Sequence, residues 1–326
     1  MAETLLSVNN VSRRFVKPLG WAEKLANTLG SKHEEVVVRA LDDVSLHMAR
    51  GDVLGVVGES GCGKSTLGRI AAGLLSPSSG TVTFSPAKNE PAVAGNNQRL
   101  ARQMIFQDPS ASLNPRMRVA EQVGEAAVVH GFVSASRMLE FVADLLLRVG
   151  LDATAMARYP HQFSGGQRAR IGIARALAVN PELLVCDESV AALDVSIQAQ
   201  VLNVFSELRE SLGLTYMFIS HDLGVVQHLS TRVAVMYLGR VVEIGPATSI
   251  FASPKHPYTQ ALLAAMPKIR SGHQQFVAIH GEVASPVNPP SGCHFHPRCP
   301  RAEARCRTEA PAPKISGDVI VACHLF

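Results

Sequence analysis

The sequence predicts an α/β fold wound around a P-loop, and three observations predict it. Gly58-Glu59-Ser60-Gly61-Cys62-Gly63-Lys64-Ser65 fits the pattern G-x-x-x-x-G-K-[ST]. An apolar stretch, Val53 to Val57, runs into it, and Thr66 to Leu75 leaves it as the start of a helix. A second apolar run, Leu183 to Cys186, ends in the acids Asp187 and Glu188. A strand that enters a glycine-rich turn and leaves as a helix aims backbone N–H groups and the positive helix end at a phosphate. Gly58, Ser60, Gly61, Cys62, Gly63, Lys64, Ser65 and Thr66 are therefore the candidate nucleotide-binding residues. Lys64 is placed to reach β- and γ-phosphates and the Ser65 hydroxyl to ligate Mg²⁺. A chance glycine turn is the alternative, and the strand–helix context argues against it.

The 326 residues suffice for one large domain with an extension. Hydrophobic residues make up 47% and aromatics only 5%, which suits an α/β core of Val, Ile, Leu and Ala. A net charge of +4 is compatible with anionic lipid or nucleic acid and decides neither. No apolar run reaches about 18 residues, so no spanning helix is expected. Met1-Ala2-Glu3-Thr4 lacks a basic and then apolar leader. The expectation is a cytosolic protein, where structural disulfides are rare.

In chain order, Leu5 to Phe15 reads as a strand ending at Phe15. Residues 16–35 read as an insertion with helical character around Trp21 to Leu29. Glu35 to Met48 resumes as strand, and Ala49-Arg50-Gly51-Asp52 turns into the P-loop strand. Thr81 to Phe84 is a short strand, Pro86 to Asn97 a polar loop, and Gln103 to Pro109 a strand ending in Gln107. Val119 to His130 and Arg137 to Val149 have helical spacing, with Gly150 as a stop. Arg168 to Leu177 and Ser196 to Leu212 read as helices, Thr215 to Ile219 as a strand, and Val225 to Leu229 as a helix. Val233 to Met236 and Arg240 to Ile244 read as a hairpin around Leu238-Gly239. From about Gly245, prolines and cysteines mark an extension.

The buried strand before Asp187 would hold that carboxylate rigid for Mg²⁺, and Glu188 beside it could polarise an attacking water. Ser164-Gly165-Gly166-Gln167 before a basic helix offers a second anion site. One nucleotide does not need two such helix ends, which suggests that the second serves a nucleotide held by another subunit. Standing alone, the stretch reads as a turn with an N-cap. His221 and Gln107 each follow a strand. The first could contact a γ-phosphate and the second Mg²⁺ or water, and both gain weight only from the set.

The whole set, in this order over residues 5–250, resembles the nucleotide-binding subunit of ABC transporters. Phe163-Ser164-Gly165-Gly166-Gln167 is close to the family signature LSGGQ, Gln107 fits the Q-loop, His221 the switch histidine, and Ala192-Leu193-Asp194 the D-loop. Phe15 falls where the family places an aromatic that stacks on adenine, which implies ATP. The resemblance implies a P-loop ABC ATPase cassette (residues 1–250) with a helical insertion at about 115–175, working as a head-to-tail dimer closed over two ATP. Ser189 and Ala191 depart from the Pro and Ser of close relatives, which bears on the loop carrying Glu188.

Ser60 to Arg69, the stretches Phe106-Gln107-Asp108-Pro109 and Ser112-Leu113-Asn114-Pro115-Arg116, and Pro254-Lys255-His256-Pro257-Tyr258-Thr259 narrow the resemblance to peptide and nickel importers. That group implies two transmembrane permeases, a second ATPase subunit of the same or different sequence, and an extracytoplasmic binding protein. It also implies a peripheral place on the cytoplasmic face of the inner membrane, with no nucleic acid partner. Oligopeptide or dipeptide is the implied cargo, with nickel, glutathione or a peptide-like compound as alternatives. A soluble ABC ATPase acting on nucleic acid or ribosomes is the rival class; such chains carry two cassettes or a long coiled coil.

Residues 251–326 form the extension. Its Cys293, Cys299, Cys306 and Cys323 are separated by five, six and sixteen residues. Four cysteines in a cytosolic chain suggest a metal site before disulfides. Zinc prefers closer pairs, while Fe–S clusters need four Cys and tolerate varied spacing. The family pattern implies a [4Fe–4S] cluster, structural zinc and unliganded cysteines are the alternatives, and His294, His296 and His324 leave a mixed site open.

Overall fold

A computed structural model describes residues 3–21, 27, 35–86, 97–108, 112–191, 193–266, 281–282 and 284–326. Two long antiparallel strands open the chain, β1 (Thr4–Lys17) and β2 (Val36–Ala49). β1 runs past Phe15, because Phe15, Val16 and Lys17 pair with Val38, Val37 and Val36. The helix expected around Trp21 to Leu29 lies outside the described residues apart from Trp21 and Asn27. β3 (Val53–Val57) enters the P-loop and α1 (Lys64–Ala71) leaves it. β4 (Ser79–Phe84) returns to pair with β1 and completes a three-stranded sheet of order β2-β1-β4.

A short helix, α2 (Asn97–Leu100), precedes β5 (Arg102–Ile105). Three helices follow: α3 (Val119–Val129), α4 (Met138–Arg148) and α5 (Gly165–Leu177). α5 begins three residues before its expected start, because Ser164 and Gln167 cap one another and draw both signature glycines into the first turn. Next come β6 (Leu183–Asp187), α6 (Val195–Leu212), β7 (Thr215–Ile219), α7 (Leu223–Leu229), and the hairpin β8 (Arg232–Tyr237) and β9 (Arg240–Pro246). The remainder holds α8 (Ala247–Ala252), α9 (Pro257–Ala264), β10 (Lys314–Ser316) and β11 (Val319–Val321).

The main sheet has the order β10-β11-β9-β8-β3-β7-β6-β5. β8, β3, β7, β6 and β5 pair in parallel, which puts their C-terminal ends on one edge. β3, β6 and β7 are buried at every residue, as strands covered on both faces must be. Their side chains alternate between two cores. One core packs β1, β2 and α1 against one face, with Leu5, Val44, Leu67, Val185 and Ile219. The other packs the helices α3 to α7 against the opposite face, with Val123, Leu146, Phe205, Val226 and Leu184. The C-terminal extension shares this second core through Tyr258 and Phe295 and adds β11 to the sheet edge beside β9.

Candidate nucleotide-binding site

Residues just past the ends of four parallel strands converge, the place where open α/β sheets bind ligands. Gly58 follows β3, Gln107 lies beyond β5, Glu188 follows β6 and His221 lies beyond β7. The Ser65 hydroxyl donates to Asp187 Oδ1 at 2.9 Å. Gln107 Nε2 donates to Glu188 Oε2 at 2.9 Å, and His221 Nδ1 stands 3.4 Å from Glu188 Oε1. Lys64 is buried and donates to the carbonyls of Gly58 (2.8 Å) and Glu59 (3.0 Å). Burial pushes the Asp187 carboxyl above its ordinary value and the charge of Glu188 adds to this, while the Ser65 hydroxyl opposes it. A cation at Ser65 and Asp187 would relieve that desolvation, so hydroxyl and carboxylate suit a hard divalent ion.

The loop itself requires glycine where the chain packs closest. Gly63 has φ +105°, and a Cβ there would stand 2.2 Å from the Ala40 carbonyl oxygen on β2. Gly63 also occupies the N-cap of α1 with no side-chain cap, which leaves that helix end open to an anion. Ser60 and Gly61 are exposed at the apex of the loop, and Thr66 is the third residue of α1. The Cys62 thiol is buried and pushed up in pKa by that burial, so it packs and does not react. Phe15 is 40% exposed, lies under the Arg13 guanidinium at 4.7 Å, and pairs with Val38, two residues from the Ala40 that abuts Gly63.

Glu188 adopts φ +49°, a left-handed conformation that costs a non-glycine residue about 1–2 kcal/mol. Its N–H donates to the Ile219 carbonyl (2.9 Å) and its own carbonyl accepts from Ala191 N–H (3.1 Å). The turn carrying Glu188 is thus closed by backbone hydrogen bonds without a proline at Ser189. Ala192 lies outside the described residues, and Asp194 is exposed at the N-cap of α6.

Ser164 and Gln167 form a separate feature. Ser164 N–H donates to Gln167 Oε1 (3.0 Å) and Gln167 N–H to Ser164 Oγ (3.3 Å). Among the described residues no hydrogen bond or ion pair joins Ser164, Gly165, Gly166 or Gln167 to the P-loop. Instead the signature packs on the start of α6. A Cβ on Gly166 would meet Ile197 Cγ2 at 2.1 Å, and one on Gly165 would touch Leu193.

Comparison with known proteins bears on both halves of the chain. The ABC transporter family profile matches residues 41–191, and the profile "Oligopeptide/dipeptide transporter, C-terminal region" matches 242–306. An oligopeptide transport ATP-binding protein of Bacillus subtilis is 45% identical over 334 residues, covering 99% of this chain and 98% of its own. A di/tripeptide transport ATP-binding protein of Pseudomonas aeruginosa is 43% identical over 325 residues, covering 99% and 98%. This chain belongs to the ABC transporter family. A dimeric ATP-binding cassette in a post-hydrolysis state with ADP and Pi shares the ABC fold, at TM-score 0.61 and 24% identity over 74% of this chain and 99% of that one. The protein is an ABC ATPase, and among its described residues no helix is long and apolar enough to cross a membrane.

In the extension of this ABC ATPase, Cys293, Cys299, Cys306 and Cys323 are all free thiols. They approach one another: Cys293 N–H donates to the Cys306 carbonyl (2.9 Å), and each raised thiol feels at least one other. The expected metal set is nevertheless not assembled. Among the described residues no group of three or more His, Cys, Asp or Glu is placed to hold a metal ion. Burial, then the neighbouring thiols, push Cys293 up to about 11 and raise Cys299 and Cys323, so a metal bound there would have to displace their protons. The histidines turn elsewhere: His294 Nδ1 to the Leu238 carbonyl, His296 Nδ1 to the Cys293 carbonyl, and His324 Nε2 to the Glu309 carbonyl.

Three residues of the site had no role in the motif reading. Glu59 fills a variable P-loop position, Tyr258 entered only as part of the His-Pro-Tyr element, and Arg298 carries no motif signal. All three meet at the P-loop, and only tertiary contact reveals it.

Proposed function

We propose that this chain is the ATP-hydrolysing subunit that energises import of oligopeptides or dipeptides through a membrane ABC transporter. The observation that carries the reading is that the P-loop, Walker-type acids, Gln107 and His221 gather at one sheet edge while a second helix end of the same chain stands apart from them. Lys64, Ser65, Asp187, Glu188, Gln107 and His221 sit at one sheet edge, while Ser164 to Gln167 present a second anion-binding helix end apart from them. In a head-to-tail dimer each ATP lies between Lys64 of one subunit and Ser164 of the other, with Asp194 at the junction and Phe15 against adenine. Ser65, Asp187 and Gln107 would hold Mg²⁺, which would supply charge neutralisation at the phosphates. Glu188, aimed by Gln107 and the strained turn, polarises the attacking water, and His221 contacts the γ-phosphate.

A cleft of about 500 Å³ between the sheet and the helical insertion is lined by Gln103, Phe106, Asn114, Gln122 and Arg175, and so reaches the residue before Gln107. A permease segment seated there would feel the nucleotide through Gln107. The relatives' peptide cargo and the importer-type C-terminal region support a complex of two permeases, a second ATPase subunit and an extracytoplasmic binding protein. Residues 251–326 act in it as one extension of the cassette, at the cytoplasmic face of the inner membrane. Loading with a [4Fe–4S] cluster, with zinc as the alternative, would require Cys293, Cys299, Cys306 and Cys323 to close up and lose their protons. The role of the bound group would be to staple the extension.

Affinity purification of the full chain from gently solubilised native membranes tests this. Two multi-span permeases and a second ATPase are expected by mass spectrometry, with iron and acid-labile sulfide in the same material. Recovery with ribosomes or nucleic acid and no permease would overturn the transport reading, and zinc without sulfide would replace the cluster.

A further inference from the structure

The extension hydrogen-bonds to the P-loop at Glu59, through two of that residue's groups. The Glu59 carboxylate accepts both arms of Arg298, from Nη1 at 2.7 Å and Nη2 at 3.0 Å. The Glu59 backbone N–H donates to the Tyr258 hydroxyl at 2.9 Å. The Glu59 carbonyl in turn accepts from Lys64. Arg298 also donates to the Tyr237 hydroxyl (3.3 Å), and its side chain is only 4% exposed. A forked, charge-assisted pair with this little solvent is geometrically specific and costly to break on one side.

The clamp rests on rigid supports. Tyr237, Tyr258 and Phe295 pack ring against ring with centroids 4.7–5.3 Å apart. The turn before α9 is fixed by Glu243 on β9, a fully buried carboxylate that accepts the N–H groups of Lys255 (2.7 Å) and His256 (2.9 Å). Tyr258 is therefore set by the sheet that also carries the P-loop strand.

We propose that Arg298 and Tyr258 are positioning residues for ATP binding, acting through Glu59. A glycine-rich loop loses conformational freedom when it wraps a phosphate chain. Holding Glu59 moves that loss from nucleotide binding to folding, the general basis of preorganisation. The held residue also sets the two carbonyls that park the Lys64 ammonium, so the cation meets an incoming phosphate already aimed.

The test uses the full-length chain, with Tyr258→Phe, Arg298→Gln and Arg298→Lys. Readouts are the ATP dissociation constant by titration, KM, kcat and the thermal midpoint. Tyr258→Phe and Arg298→Gln are expected to weaken ATP binding about tenfold, the equivalent of ~1.4 kcal/mol. KM should rise with kcat held, and Arg298→Lys should recover part of the loss because it restores the charge without the fork. A lowered midpoint with unchanged ATP affinity and KM would overturn the proposal and leave the contacts as a staple. Should Arg298→Gln fail to fold, Tyr258→Phe decides alone, since it keeps the ring packing and removes one acceptor. The proposal rests on the ATPase reading, and wild-type protein that binds no ATP would overturn that reading as well.

Discussion

The two helix N-termini that the proposed function assigns to ATP are finished differently. α1 begins behind Gly63 with no side-chain cap, a buried Lys64, and the Asp187 carboxylate at the end of β6 on the Ser65 hydroxyl. α5 begins behind Ser164, whose hydroxyl and Gln167 satisfy one another in an exposed turn. The first end has all its chemistry in its own chain. At the second, the Ser164 and Gln167 N–H groups are satisfied within the turn, and no hydrogen bond or ion pair joins it to the P-loop among the described residues. An uncapped end leaves its first N–H groups for a ligand, whereas a self-capped end satisfies part of them within its own turn. The asymmetry is what the proposed shared site between two copies would use.

The strongest way to break this comparison is to remove the chemistry from the complete end. Glu188→Gln keeps one oxygen to accept from Gln107 and removes the charge. Hydrolysis should fall by about 10²–10⁴, the range general base catalysis supplies, with ATP binding retained. Phosphate release and sizing with ATP check it, and the variant should accumulate as an ATP-bound dimer. A variant that still turns over ATP normally would remove Glu188 from the reaction. One that binds ATP but stays monomeric beside its partner ATPase would break the shared-site argument.

A smaller effect is expected at the waiting end. Ser164→Ala removes the cap, worth ~1 kcal/mol of helix stability, and the hydroxyl that would meet the partner's phosphate. ATP binding by the isolated chain should be unchanged. In the Glu188→Gln background, ATP-driven dimerisation should weaken about tenfold, as expected for one lost hydrogen bond to a charged group. Analytical ultracentrifugation with ATP separates the two roles, because a lost cap alone lowers the thermal midpoint and leaves dimerisation intact.

The two ends also differ in how far they could be read from sequence. Lys64, Ser65, Asp187 and Glu188 are specified by local pattern: a strand, a fixed turn, an acid at a strand end. Their convergence follows from parallel strands that all end at one edge. The aim of Glu188 was not legible, because φ +49° and the bond to Ile219 depend on a strand distant in sequence. The same holds for the P-loop clamp. Nothing near Arg298 in sequence marks it as a partner of Glu59, and their contact exists only because the extension joins the sheet edge through β11 and shares its core. At Cys293, Cys299, Cys306 and Cys323 spacing suggested ligands, but whether thiols or thiolates stand there is decided by burial, which spacing does not report.

A third helix end gives the limiting case. α9 is capped by His256, which is 1% exposed and accepts the Tyr258 N–H at Nδ1 (3.0 Å). Burial lowers its pKa to about 4, even with the Glu243 carboxylate on its own backbone N–H and Phe295 against the ring. The unfolded chain takes up this proton near pH 6.5 and the folded chain only near 4, so between these values the unfolded state binds more protons. Stability is full above pH 6.5 and declines as pH falls toward 4, by up to roughly 3 kcal/mol from this one group. His256→Asn keeps an N-cap acceptor and removes the titration. Its unfolding midpoint should be less sensitive to pH across that window than the wild type's, while the exposed Ser164 cap contributes no slope there. Parallel pH profiles for wild type and His256→Asn would show that the buried cap does not titrate with unfolding, and that α9 is held in place by Glu243 and the aromatic packing instead.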